Sequence, residues 1–197
     1  MSLPTIILLR HGQTQWNAQG RYQGVLNSNL TALGQAQAKE NALKIEKNFN
    51  LNEDLKFFSS PLGRARETSF IVAETLGIDK SEIIFDGNIQ EISYGIFEGK
   101  TKIFCKTEYK KEFEERETNK WDYILEGGES YEMLTQRINV WLERVKNEKR
   151  VVLVAHEMIN RALRGIYCSY DRKIMLNLRQ NNDVVLKLED GNESIIE

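Results

Sequence analysis

The sequence predicts an α/β fold built on a mainly parallel sheet, and two observations carry that prediction. Two apolar runs, "TIILL" at 5–9 and "RVVLVA" at 150–155, are continuous and rich in β-branched residues, as strands buried on both faces are. Around them, short apolar segments alternate with amphipathic stretches of helical length, the pattern that builds parallel sheets.

The elements follow in order along the chain. "TIILL" is the first strand. Residues 31–48 read as a helix, with Thr31 as N-cap and an Ala-, Leu- and Lys-rich stretch behind it. "KFFSS", 56–60, is a second short strand stopped by Pro61. "LGRARETSFIVAETLG", 62–77, is an amphipathic helix with Gly77 at its end. "EIIFD", 82–86, is a third strand. Residues 100–120 read as mostly helical and heavily charged, and 130–148 as another helix, with Trp141, Leu142 and Val145 on its apolar face. "RVVLVA" is the next strand, 158–168 a helix, and "DVVLKLE", 183–189, an alternating strand. The tail after Asp190 is expected to be a loose end. No internal repeat, low-complexity tract or Pro-rich linker divides the chain, so one domain over 1–197 is expected.

Composition narrows the function. A chain of 197 residues with 41% hydrophobic and 28% charged residues is that of an ordinary globular protein with one sizeable core. A formal charge of −2 offers no general attraction to nucleic acid or to an acidic membrane, so any anion site must be local. The apolar stretch at 6–9 is too short for a signal peptide, and no run approaches the ~20 residues that span a bilayer. A cytoplasmic protein is expected, with Cys105 and Cys168 as free thiols. Two histidines and two cysteines, scattered, argue against a zinc site, and no Asp cluster suggests magnesium. No metal or cofactor is expected.

The two histidines matter more for where they stand. His11 directly follows the first buried run, and His156 directly follows "RVVLVA". Ligands of open α/β sheets bind beyond the carboxyl ends of the strands. Neighbouring parallel strands would bring the two imidazoles side by side. Arg10 precedes His11, and Arg64 lies in the first turn of the helix after "KFFSS". Guanidinium groups grip phosphate oxygens bidentately and stay charged at any working pH. Gly12 is expected to let backbone N–H groups approach an anion, and Gln13, Thr14 and Asn17 to add neutral donors. Glu91, in "NIQEISYGIFEG", is the candidate proton donor, its acidity weakened by burial or by a bound anion.

These residues sit in blocks that resemble the histidine phosphatase superfamily, also called phosphoglycerate mutase-like. "LLRHGQTQWN" resembles its opening motif. "GRYQGVLNSNLTALGQAQA" resembles the next block, with Asn27 where an Asp is common. "SSPLGRARET", "IQEISYGIFEG", "GGES" and "VVLVAHEMINRALRG" resemble the four that follow, so the likeness covers nearly the whole chain in order. The resemblance implies a three-layer α/β/α fold. It also implies that neutral His11 attacks phosphorus, that Glu91 protonates the leaving oxygen, and that Arg10, Arg64 and His156 hold the phosphoryl oxygens. Gly12, Thr14, Asn17, Gln23, Gly24 and the backbone of Glu157 are then expected around the phosphate.

Three functions fit this pattern. The first is a metal-independent phosphomonoester hydrolase acting through phosphohistidine on a small phosphorylated metabolite. The second is a phosphoglycerate mutase. The third is a non-catalytic protein that binds phosphorylated ligands. The compact segment between Gly99 and Gly127 favours the hydrolase, because the mutases of the family enclose their substrate with a longer insertion there. Lys102, Lys106 and Tyr109 of that segment are candidates for the pocket mouth. One departure stands out: Glu157 occupies the place where the family usually has Gly. Its side chain is expected to cap the helix that starts there and to point away from the phosphate, so that Glu157→Gly would change kinetics modestly. A homodimer is compatible with the sequence, which leaves oligomeric state open.

Overall fold

The computed structural model describes residues 3–50 and 54–197. Its sheet has six strands: β1 (Thr5–Arg10), β2 (Leu55–Ser59), β3 (Ile83–Phe85), β4 (Arg150–Ala155), β5 (Val185–Glu189) and β6 (Asn192–Ile196). Their spatial order is β3-β2-β4-β1-β5-β6. The first four in that order run parallel, while β5 lies antiparallel to β1 and β6 antiparallel to β5. The fold is therefore the expected α/β fold with a mainly parallel sheet.

Among the described residues the eight α-helices are α1 (Gln15–Ala18), α2 (Ala32–Asn48), α3 (Gly63–Leu76), α4 (Lys102–Glu108), α5 (Lys110–Thr118), α6 (Tyr131–Val145), α7 (Glu157–Tyr167) and α8 (Arg172–Asn177). Strand side chains alternate between faces, so each central strand feeds two cores. Ile7, Leu9, Val152 and Val154 meet Ala42 and Ile45 of α2 and Val72 and Ala73 of α3. Ile6, Leu8, Val151 and Leu153 meet Ile138, Trp141 and Leu142 of α6 and Ile159 and Leu163 of α7. Helices on both faces of one sheet make the three layers. The spacing of Leu134, Ile138, Trp141, Leu142 and Val145 gives α6 a single buried stripe, and Ser130 caps it by accepting from the Met133 N–H.

Three segments differ from expectation. The tail after Asp190 is a strand, β6, and not a loose end. Asp190 (φ 49°) and Gly191 (φ 75°) both take left-handed backbone, forming the two-residue hairpin turn that pairs Glu189 with Asn192. Helices α1 and α8 are the other two, since four and six residues are too few for a periodic signal. The charged stretch 100–120 is mostly helical, as expected, in two helices broken at Tyr109, whose backbone leaves the helical region. Among the described residues, no helix is long and apolar enough to cross a membrane.

The loop after β1 is held by backbone contact with α2. The two glycines Gly12 and Gly34 face each other so closely that a Cβ on Gly34 would lie 2.1 Å from the Gln13 carbonyl oxygen. Alanine normally favours a helix over glycine by about 1 kcal/mol. We expect Gly34→Ala to do the opposite and lower unfolding stability by about 3 kcal/mol, measured by urea denaturation. An unchanged or higher stability would show that this contact does not hold the loop.

Candidate active site

The β1–β4 register pairs Arg10 with Ala155, and the His11 N–H donates to the Ala155 carbonyl at 3.0 Å. The next residue of each strand is a histidine. The rings of His11 and His156 stand 5.2 Å apart, centre to centre, beyond the carboxyl ends of the strands. Asn182 fixes the turn by donating to the His11 carbonyl at 2.6 Å.

The hydrogen bonds of His11 settle its tautomer. Nδ1 lies 2.8 Å from the Gly12 carbonyl oxygen, which can only accept, so Nδ1 carries the proton. The other ring nitrogen, Nε2, then has a free lone pair, which accepts from Arg64 Nε at 3.3 Å. Burial, with Arg64 and Arg10 close by, holds the imidazole well below the usual histidine range. His11 is a buried, neutral ring with its unprotonated nitrogen beside a guanidinium.

Arg64 is 1% exposed and enters from the first turn of α3. That turn has no side-chain cap of its own. Asn27 supplies one by accepting from the Arg64 N–H at 2.8 Å. The carbonyls of Leu26 and Gly24 each accept from the guanidinium at 2.7 Å, which aims it. Burial lowers its pKa to about 10, leaving it charged at neutral pH. His156 is wholly buried behind His11. Its Nε2 meets Ser60 Oγ at 2.7 Å, while its Nδ1 has no partner. Burial and Arg64 hold this ring neutral as well.

Glu91 lies across a cavity of about 480 Å³ that is also lined by Arg10, His11 and Arg64. Glu91 is 7% exposed, and its carboxyl accepts from the Ile92 N–H at 3.0 Å and the Met158 N–H at 3.3 Å. Burial raises its pKa, and Arg64 opposes that rise. Arg137 of α6 clamps the segment by donating to the carbonyls of Asn88, Gln90 and Glu91.

Asn17, Gln23 and Gly24 also line the cavity, and so does Glu157. Gln23 Oε1 is buried there without a partner. Gly12 and Thr14 do not line it. The Gly12 N–H donates to Thr68 Oγ1 at 3.0 Å, so glycine is required there by the approach of α2 and not by an anion. Thr14 is the N-cap of α1, joined to Asn17 in a reciprocal capping box. Lys102 reaches the cavity, whereas Lys106 and Tyr109 do not line it.

The largest correction concerns Glu157. Its side chain turns into the cavity and accepts from Arg10 Nη1 at 2.7 Å and from Arg161 Nη2 at 3.3 Å. Two guanidinium groups attract the carboxylate more strongly than the backbone N–H groups of one helix end, which carry only partial charge. Sequence reasoning passed over Arg161, although it lies one helical turn beyond Glu157, at the spacing of an ion pair. It also missed Arg21, Tyr94 and Arg116, which line the cavity from three separate stretches. Among so many solvated charges, Arg116 carries no sequence mark of its burial.

A family model described as the histidine phosphatase superfamily (branch 1) matches residues 6–195. The Escherichia coli protein named "Probable phosphoglycerate mutase GpmB" is 37% identical over 155 residues, covering 77% of this chain and 68% of its own. The crystal structure of the alpha-ribazole phosphatase from Shigella flexneri superposes with a TM-score of 0.80 at 20% identity, covering 97% of this chain and 94% of that one. A mycobacterial glucosyl-3-phosphoglycerate phosphatase in complex with VO3 superposes with a TM-score of 0.79 at 23% identity, covering 98% and 97%. At these identities the two structures establish likeness of fold.

Two buried neutral imidazoles set a pH dependence of stability. In the unfolded chain they take protons near pH 6.5, and in the fold only well below it. Their contribution is therefore complete above about pH 6.5 and is lost as pH falls below that value. We expect the denaturation midpoint to drop between about pH 6.5 and pH 5, and the drop to flatten in a His11→Asn/His156→Asn double variant. Equal slopes in both proteins would contradict burial of neutral rings.

Proposed function

The chain belongs to the histidine phosphatase superfamily (branch 1), and on that premise we propose that it is a phosphomonoester hydrolase acting through phosphohistidine on His11. The observation that carries the reading is the His11 ring, with Nδ1 tied to a carbonyl and Nε2 unprotonated beside Arg64. A nucleophile needs that lone pair at neutral pH.

In the proposed reaction the substrate phosphoryl group draws Arg64 Nε from His11 Nε2 onto a phosphoryl oxygen. His11 Nε2 then forms a bond to phosphorus as the ester P–O bond breaks. Glu91, whose acidity burial weakens, gives its proton to the leaving oxygen. In the second step a water attacks phosphorus and passes a proton to the Glu91 carboxylate. The N–P bond breaks, and neutral His11 and inorganic phosphate result. Arg10 and Arg64 supply positive charge to the equatorial oxygens, neutral His156 lies beside His11 as a further hydrogen-bonding ring, and no step is routed through a metal. The cavity volume suits a small phosphorylated metabolite.

Hydrolysis is preferred to transfer because the compact segment between Gly99 and Gly127 adds only short helices, α4 and α5, to the cavity wall, and a less enclosed phosphohistidine is open to water. The relative named as a phosphoglycerate mutase favours the second reading, transfer within the substrate. An assay with p-nitrophenyl phosphate, alkyl phosphates and phosphoglycerates separates them. We expect phosphate release that resists chelators and vanishes in His11→Ala. Glu91→Gln should cut kcat for alkyl phosphates by about 100-fold or more, and far less for p-nitrophenyl phosphate, whose leaving group needs no proton. Primer-dependent interconversion of phosphoglycerates without net hydrolysis would favour the mutase. Full turnover in His11→Ala would overturn the covalent mechanism.

A further inference from the structure

Glu157 places a carboxylate inside a cavity built to receive an anion. Its side chain is only 11% exposed. Oε2 meets Arg10 Nη1 at 2.7 Å, and Oε1 meets Arg161 Nη2 at 3.3 Å and Arg179 Nη1 at 4.0 Å. Arg161 is almost wholly buried, and its Nη1 donates to Tyr131 Oη and to the Leu176 carbonyl, so it is fixed from behind. The Nε atoms of both Arg10 and Arg161 are buried without a partner. Two fixed cations with spare donors make a cradle for a planar anion, and the chain's own carboxylate lies in it.

The position of the cradle gives it a consequence. Arg10 adjoins His11 in sequence and shares the cavity with His11, Arg64 and Glu91, so the cradle borders the space where a phosphoryl group would bind. A substrate with a carboxylate or second phosphate close to the reacting one would meet the Glu157 carboxylate there and be repelled by it. A neutral or hydroxylated leaving group meets no such repulsion.

We propose that Glu157 is a specificity-determining residue that fills an anion subsite beside the phosphoryl position. It selects against phosphate esters whose leaving group carries a second anion near the phosphate. The inference rests on the hydrolase reading of the same cavity. It names a substrate class, monophosphates of uncharged alcohols, and it disfavours short phosphocarboxylates such as phosphoglycerates.

Two phosphonates test it without turnover, because their C–P bond is not hydrolysed. Propylphosphonate and 3-phosphonopropanoate differ only in a terminal methyl or carboxylate. Calorimetry on the wild type should show tighter binding of propylphosphonate. In Glu157→Gln, which removes the charge and keeps the shape, the affinity ratio should move about tenfold toward the carboxylate, as expected for loss of one like charge several Å away. Glu157→Gly, which also empties the cradle, should move it further. A merely structural role would weaken both ligands alike and leave the ratio unchanged, and that result would overturn the inference. Hydrolysis of p-nitrophenyl phosphate by the wild type reports on the hydrolase reading separately. Turnover with an unmoved ratio sinks the subsite alone. Failure of both phosphonates to bind any of the three proteins sinks the phosphoryl pocket and the subsite together.

Discussion

The parallel pairing of β1 with β4 is the constraint on which the site depends. Six consecutive residue pairs, Thr5 with Arg150 through Arg10 with Ala155, set the register. A slip of one residue would turn Ile6 and Leu8 from the α6–α7 core into the α2–α3 core, and the reverse for Ile7 and Leu9. Both cores therefore defend the register, and the register delivers His11 and His156 to one edge. Chemistry at that edge inherits its precision from apolar packing well below it.

Cations and carboxylates share one cavity of about 480 Å³. Arg64 stays charged although buried because carbonyls of Gly24 and Leu26 hold it. Its charge helps to keep the two imidazoles neutral. Glu91 and Glu157, two of the carboxyls that line the cavity, have different partners. Glu91 sits where burial outweighs Arg64 and favours the protonated form. Glu157 sits between Arg10 and Arg161 and accepts from both. In the proposed reaction Glu91 is the proton donor, while Glu157 belongs to the proposed anion subsite.

Much of this was legible in the sequence. The strands with both faces buried announced themselves as unbroken apolar runs, and the positions of His11 and His156 followed from the rule for strand ends. Gly77 and Thr31 behaved as their chemistry dictates, terminating α3 and capping α2. The Asp190–Gly191 turn was equally readable, yet a terminal tail without a strong apolar pattern hid the strand behind it. What could not be read was side-chain direction over long separations. Gly12 was assigned to an anion because the contact that demands glycine comes from Gly34, on another element. Glu157 was turned outward because the pull of Arg10, 147 positions away in sequence, has no local signature. Arg116 and Arg21 reach the cavity through the fold of charged stretches that look solvated.

The central claim is that a phosphoryl group resides on His11 during turnover. Quenching a steady-state reaction in alkali, which preserves phosphohistidine, and digesting the protein for mass spectrometry tests it most directly. The account predicts one phosphoryl group on the peptide that contains His11, attached at Nε2 by phosphorus NMR, and none in His11→Ala. Rapid phosphate release with an unmodified His11, or with the label on another residue, would contradict it.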